Sequence, residues 1–228
     1  MRCLLSCALL LPACSQTPPV ATIPYEQDFS TAKLGPEWSS ADGGWKVVGG
    51  RLFNDGAHNV PLWLSAALPA NVRVVFDAES KSDAVDLKFE IFGDGKNHQS
   101  GYVVILAGWN NSKSIIARLN EHGRERTGPE TAILEQEVVA DGEGARTRYL
   151  ERQEIVARYD REQASRVYHF RFERLGHSLK LFVDDALYLS YFDPSPLAGL
   201  GHDHFAFNNW ASQVYFDNLR IEALPESP

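Results

Sequence analysis

The sequence predicts an all-β protein in which two antiparallel sheets pack face to face in a single domain. Three observations lead there. Short apolar runs alternate with polar residues at the two-residue period of a half-buried strand, Gly, Asp and Asn turns separate the runs, and no convincing long helix interrupts them. About a dozen such strands without repeated strand-helix units bury their apolar faces best against one another. No repeat at propeller spacing is visible, so one sandwich is expected.

Composition agrees. The 228 residues are 44% apolar and 23% charged, with 12 Phe, 8 Tyr and 5 Trp, enough for a sizeable core. Thirty acidic against 22 basic residues leave a formal charge of -8, and no segment concentrates Lys and Arg, which argues against a nucleic-acid partner.

The amino terminus reads as an address. Arg2 precedes an apolar run at residues 4–11, and Leu11-Pro12-Ala13-Cys14 leads into polar Ser15-Gln16-Thr17. This resembles a bacterial lipoprotein signal at residues 1–13, with Cys14 carrying the lipid and residues 14–24 forming a Pro-containing tether. Ser15 resembles the sorting preference of outer-membrane lipoproteins, and an ordinary secretory signal is the alternative. Cys3 and Cys7 lie inside the signal, so the domain has no disulfide, cysteine nucleophile or thiolate metal site.

Residues 25–224 read as the domain and 225–228 as a tail. Trp45-Lys46-Val47-Val48-Gly49-Gly50-Arg51-Leu52-Phe53 is a hairpin with two glycines at its turn. Val72, Val74, Phe76 and Ala78 face one way, and Val85, Leu87, Phe89 and Ile91 repeat the pattern against Asp86, Lys88 and Glu90. Residues 102–107 are apolar on both faces, as in a central strand. Ile115, Ala117 and Leu119 alternate with Ile116, Arg118 and Asn120. Residues 168–191 form a three-strand meander, and residues 204–208 and 214–221 close the chain. Residues 141–164 resist this pattern and read as a helix or long loop inserted at the rim.

Three segments carry a resemblance: Phe29 with Gly35-Pro36-Glu37-Trp38, the hairpin just described, and Val214-Tyr215-Phe216-Asp217-Asn218-Leu219-Arg220-Ile221. Together they resemble the concanavalin A-like lectin/glucanase superfamily, and residues 171–185 add to the likeness. The resemblance implies a two-sheet antiparallel jelly-roll sandwich. Superfamily members include glycan-binding modules, glycosidases and polysaccharide lyases. A weaker resemblance to the 3-keto-disaccharide hydrolase group rests on the strand leading into Asn120-Glu121, with Gln99-Ser100-Gly101 where that group has Asn-Ser-Gly. The resemblance also implies one structural Ca2+ between the first and last strands, at Asp28, the Gly49 carbonyl and Asp217.

The Glu-x-Asp-x-x-Glu pattern of superfamily glycosidases is absent, and Lys88 stands between Asp86 and Glu90 where an acid is needed. Two polar and aromatic stretches stand out: Trp109, Asn110, Arg118, Asn120, Glu121 and His122 in one, and His202, Asp203, His204, Asn208, Asn209 and Trp210 in the other. Sugars are held by flat apolar platforms and by amide, carboxylate and guanidinium groups, and both stretches supply them. Glu90 is a further ligand-facing candidate. Were the protein an enzyme, Glu121 or Asp203 would serve as acid or base and His122 or His204 as proton shuttle. A glycan-binding envelope lipoprotein leads, ahead of a glycan hydrolase or lyase and of a structural or protein-binding envelope component. The first two require the two stretches to meet on one face.

Overall fold

The computed structural model describes residues 20–42, 44–122 and 166–225, together with the backbone of three strands, Gln136–Ala140, Ala145–Tyr149 and Gln153–Ile155. Residues 1–13, read above as a signal, Cys14 and nearly all of the tail lie outside the described residues. In chain order the strands are β1 Tyr25–Gln27, β2 Trp38–Ser39, β3 Lys46–Val48, β4 Arg51–Asn54, β5 Leu62–Leu64, β6 Val72–Ser80, β7 Leu87–Gly93, β8 Tyr102–Ala107 and β9 Lys113–Arg118. They continue as β10 Gln136–Ala140, β11 Ala145–Tyr149, β12 Gln153–Ile155, β13 Val167–Leu175, β14 Ser178–Val183, β15 Ala186–Phe192, β16 His204–Asn208 and β17 Val214–Ala223.

The strands pair antiparallel in two large sheets, as expected. One runs β15-β14-β13-β6-β17-β4-β3, with β1 also paired to β17, and the other runs β12-β9-β8-β7-β16-β5-β2. The β3–β4 hairpin forms where the paired glycines predict it, with Gly49 and Gly50 at φ 60° and 76°. These angles open a two-residue turn whose twist suits the flanking strands. Residues 141–164 depart from the helix-or-loop expectation. They contribute β11, hairpinned to β10, and β12, an edge strand on β9.

Alternation within each strand fills the space between the sheets. In β6 the residues Val72, Val74, Phe76 and Ala78 are buried while Arg73, Val75 and Asp77 are only partly so. Phe76 stacks on Phe170 of its own sheet at 4.9 Å and meets Phe89 and Phe207 of the other edge-on at 5.3 Å each. Phe207 stacks on Phe216 at 4.4 Å. Burying one such ring stabilises the fold by about 1.5–3 kcal/mol, and the edge-to-face contacts add to it. On the opposite, outer face of the seven-stranded sheet, Val103, Ile105, Ile115 and Ala117 form a second apolar cluster against which Trp109 packs. Strands β7 and β8 are therefore buried on both faces, as the apolar run at residues 102–107 predicts.

Candidate functional site

Beside that cluster the outer face of β7 is charged and buried. Lys88 and Glu90 alternate with core-facing Phe89 and retain 3% and 0% exposure. A buried charge needs partners, and each has them. Glu90 accepts hydrogen bonds from the Gln99 backbone N–H (2.9 Å) and from Asn208 Nδ2 (2.7 Å), and it contacts His98 Nδ1 at 2.6 Å. Lys88 Nζ donates to Asn59 Oδ1 (2.8 Å) and Glu121 Oε2 (3.0 Å). Asn59 Nδ2 in turn donates to Glu121 Oε1 (3.0 Å).

His98 joins the two carboxylates, its Nδ1 on Glu90 and its Nε2 3.7 Å from Glu121. The loop between β7 and β8 brings it there. Asp94 Oδ1 accepts the Lys96 and Asn97 amides, the Asp94 amide donates to Ser100 Oγ, and the loop folds back over its own strand. Burial alone would lower the imidazole's pKa, but Glu121 and Glu90 raise it. Burial alone would likewise raise Glu121, yet His98 and the Lys88 ammonium hold it at about 2. Glu121 is thus a fixed anion.

Asp86, just before β7, is the opposite case. Burial pushes its carboxyl up to about 6, Glu121 pushes the same way, and Lys88 only partly offsets them.

Above this network lies a cavity of about 480 Å³, within the usual range for ligand sites. Asn59, Asp86, Lys88 and Glu121 contribute polar lining, and Trp109 and Trp210 contribute aromatic lining. Trp109 sits on a helical turn, Gly108–Asn111, that is left-handed, with φ of 50°, 56° and 61° at Trp109, Asn110 and Asn111. Such a turn costs about 1–2 kcal/mol per L-residue, less at asparagine. Asn111 secures it by accepting the Val85 amide and donating to the Asp83 carbonyl, both at 2.7 Å. Lys113 lies over the Trp109 ring and the His122 ring meets it edge-on. Trp210 stacks on His58 at 4.9 Å and is 49% exposed. Asn59, Asp86 and Ala211 of the lining also have positive φ. Strained backbone of this kind gathers at functional sites.

No family model matches the chain, and no curated protein matches it in sequence. Its three-dimensional structure is similar to that of the carbohydrate-binding module CBM66 from Bacillus subtilis, with a TM-score of 0.57 at 14% identity over 90% of this chain and 100% of that one. It is also similar to a laminarinase from Flavobacterium sp. UMI-01, with a TM-score of 0.55 at 10% identity over 87% and 98% of the two chains. A prokaryotic β-1,3-1,4-glucanase (lichenase) derived from a mouse hindgut metagenome gives 0.54 at 10% identity over 88% and 99%. The fold is the concanavalin A-like jelly roll.

On this jelly roll the two polar stretches meet, but only in part. Trp109, Asn110, Glu121 and His122 of the first line the cavity with Trp210 of the second. Glu90 and Asn208 lie outside the lining, in the network that reaches it through His98. Asn120 accepts the His122 amide and shapes the turn after β9. Asn209 is buried against Asn54 and the Ser212 carbonyl, where it braces the loop that carries Trp210.

Three expected site residues fall elsewhere. Arg118 shares the core-facing side of β9 with Ile116 and pairs with Asp193 at 3.1 Å. Asp203 and His204 do not line the cavity. His204 shares a strand face with Asn208 but stands four residues away, about 13 Å along β16. Its ring packs near Gly95, and it contacts Asp203 at 2.8 Å. Neither residue supplies an acid, a base or a proton shuttle to the cleft. Among the described residues no group of three or more His, Cys, Asp or Glu is arranged to hold a metal, the 202–204 stretch included.

Sequence reasoning missed Asn59, Asp86 and His98, and it counted Lys88 only as an obstacle. Asp86 and Lys88 carried a signal in their alternation with Val85, Leu87 and Phe89. His98 carried none.

The positions that the resemblance implies for calcium lie beside β17. Strands β4 and β1 pair in turn with the same flank of β17, around a bulge between Asp217 and Arg220. Gly49 precedes β4 and Asp28 follows β1. Asp28 accepts the Ser30 amide and Asp217 the Asn218 amide, each through Oδ1. Burial and the charges of Asp77 and Asp28 push the Asp217 carboxyl up.

Proposed function

We propose that the protein binds a glycan in the cleft between Trp109 and Trp210, and that it does so at the bacterial envelope, anchored through Cys14. One observation carries the reading: two tryptophans and a set of amide, carboxylate and ammonium groups line the same cavity. Tryptophan faces suit the C–H faces of a pyranose, and the polar lining suits its hydroxyls. The solved structures that share the fold include a carbohydrate-binding module and glucan-degrading enzymes, which supports the reading at the level of fold.

Replacing Trp210 with Ala should abolish retention on a glycan array while shifting the melting transition by no more than a few degrees, and Trp109→Ala should abolish it with a larger shift, because that ring also packs on the outer apolar cluster. Unchanged retention would remove both residues from the site.

A second reading, a glycan hydrolase or lyase, is favoured by the two cavity carboxyls whose pKa values are driven apart, Glu121 to about 2 and Asp86 to about 6. The glycans that the array retains separate the two readings. Mass analysis after incubation gives intact ligand for a binding protein, and products lost in Glu121→Gln for an enzyme.

A calcium ion at Asp28, the Gly49 carbonyl and Asp217 belongs to the same proposal. Oxygen donors suit a hard cation, and the negative charges of Asp77 and Asp28 that push the Asp217 carboxyl up are what such a cation would relieve.

A further inference from the structure

We propose that Asp86 is the group that reads the bound sugar. In this assignment its carboxylate accepts two hydrogen bonds from a vicinal diol of a non-acidic sugar held between the tryptophans, and the cleft rejects uronate and sulfated sugars. The inference rests on the glycan-binding reading and names the ligand class for that same cleft.

Asp86 differs from every other carboxyl near the cleft. It is 8% exposed and lines the cavity, yet no described residue hydrogen-bonds its side chain. Glu90 and Glu121, by contrast, are bonded at both oxygens. Polar groups in folded proteins are normally satisfied, and with no protein donor this carboxyl takes its donors from what enters the cavity, water or a ligand. Its backbone is held at φ 35°, with its amide donating to the Ala107 carbonyl at 3.2 Å. Gly108 lies alongside: a Cβ there would clash with Ile105 Cγ2 at 2.8 Å and only touch Asp86 Oδ1 at 3.5 Å.

The charges around Asp86 set the ligand class. Lys88, the cation whose charge reaches it, is engaged by Asn59 and Glu121. His98 stands between Glu90 and Glu121. Glu121 and His122 face the cavity from the turn after β9, exposed Asp83 lies in the preceding loop, and Trp210-Ala211-Ser212 on the far wall bring no charge. Asp86 therefore adds negative charge that Lys88, already held by Asn59 and Glu121, offsets only in part; with Glu121 beside it and Lys113 set apart over the Trp109 ring, this charge disfavours an anionic sugar and accepts from a neutral diol.

Burial holds the group at about 6 when the cleft is empty. The acceptor is the ionised form, about one-tenth populated at pH 5 and nine-tenths at pH 7, so affinity should rise about tenfold across that interval.

Calorimetric titration of the full chain at pH 5 and pH 7 tests this, with β-glucan, chitin, chitosan and polyuronate oligosaccharides as probes. A neutral probe should bind at least ten times more tightly than the polyuronate and gain about tenfold from pH 5 to pH 7. Asp86→Asn should weaken that probe about tenfold at pH 7 and flatten the pH response. Asparagine suits a positive φ, so the variant should fold, and its melting curve checks that it does. Tighter polyuronate binding, binding of chitosan alone, or an Asp86→Asn profile identical to the parent overturns the role of Asp86 and leaves the glycan site standing. If no probe binds the parent at either pH, the glycan reading itself fails.

Discussion

Lys88 and Glu121 pair at 3.0 Å with 3% and 4% of their side chains exposed. Removing one partner of such a pair costs about 3–5 kcal/mol, because the other charge is left buried. Three neighbouring groups link this site to pH, each with its own sign. Asp86 moves from 3.8 to about 6, so folding favours its protonated form, and stability grows as pH falls through 6, by about 3 kcal/mol in all. His98 is raised above 6.5, and its contribution is complete below 6.5 and lost as pH rises through the folded value. Glu121 is lowered from 4.5 to about 2, and its contribution is complete above 4.5 and lost as pH falls toward 2. The melting temperature should therefore climb from about pH 8 to pH 5 and decline below about pH 4, with much of the climb missing in Asp86→Asn. A scanning-calorimetry series checks this. A parent profile that is flat or falls from pH 8 to pH 5 would contradict the assignment.

At the scale of elements, β17 gathers the chain ends. It takes β6 on one flank, and β4 and then β1 on the other. A cation bound beside its bulge would hold the first strand, the first hairpin and the last strand together, and binding to the folded state alone would stabilise it. Chelation should accordingly lower the melting temperature of purified protein, and Asp217→Asn should remove that response. Purified protein free of calcium, with no chelator effect, would end the proposal.

Elements were also where the sequence was most legible. The period-two runs in β6, β7, β13 and β14 and the Gly49-Gly50 turn each follow from local chemistry. His98 does not, because its place is set by a loop that doubles back through Asp94 and Ser100 to meet Glu90. Asp203 and His204 misled for a related reason. Strand periodicity tells which face a residue occupies and says nothing of its distance along that face, so a pair beside Asn208 in sequence stands at the other end of β16. Residues 141–164 misled because charge-rich strands such as β11 lack the apolar alternation by which strands are recognised.

Across the whole molecule, the sandwich was readable and the meeting of its two polar stretches was not, since no local pattern brings Trp109 and Trp210 to one cavity. The proposed envelope anchor is tested on the whole chain. Cys14→Ser should move the protein from the membrane fraction to the soluble fraction and abolish palmitate labelling. Unchanged membrane association without label would discard the anchor.

Five separate connections supply the cleft: Asn59 between β4 and β5, Asp86 before β7, the left-handed turn after β8, Glu121 and His122 after β9, and the loop from Trp210 to Ser212 between β16 and β17. The interlocked phenylalanines lie on the other side of the sheet. The rims that carry Trp109 and Trp210 can therefore be exchanged to alter which molecule is recognised, whereas those that carry Asn59 and Glu121 are tied to Lys88 in the strand beneath and change only at a cost to the scaffold.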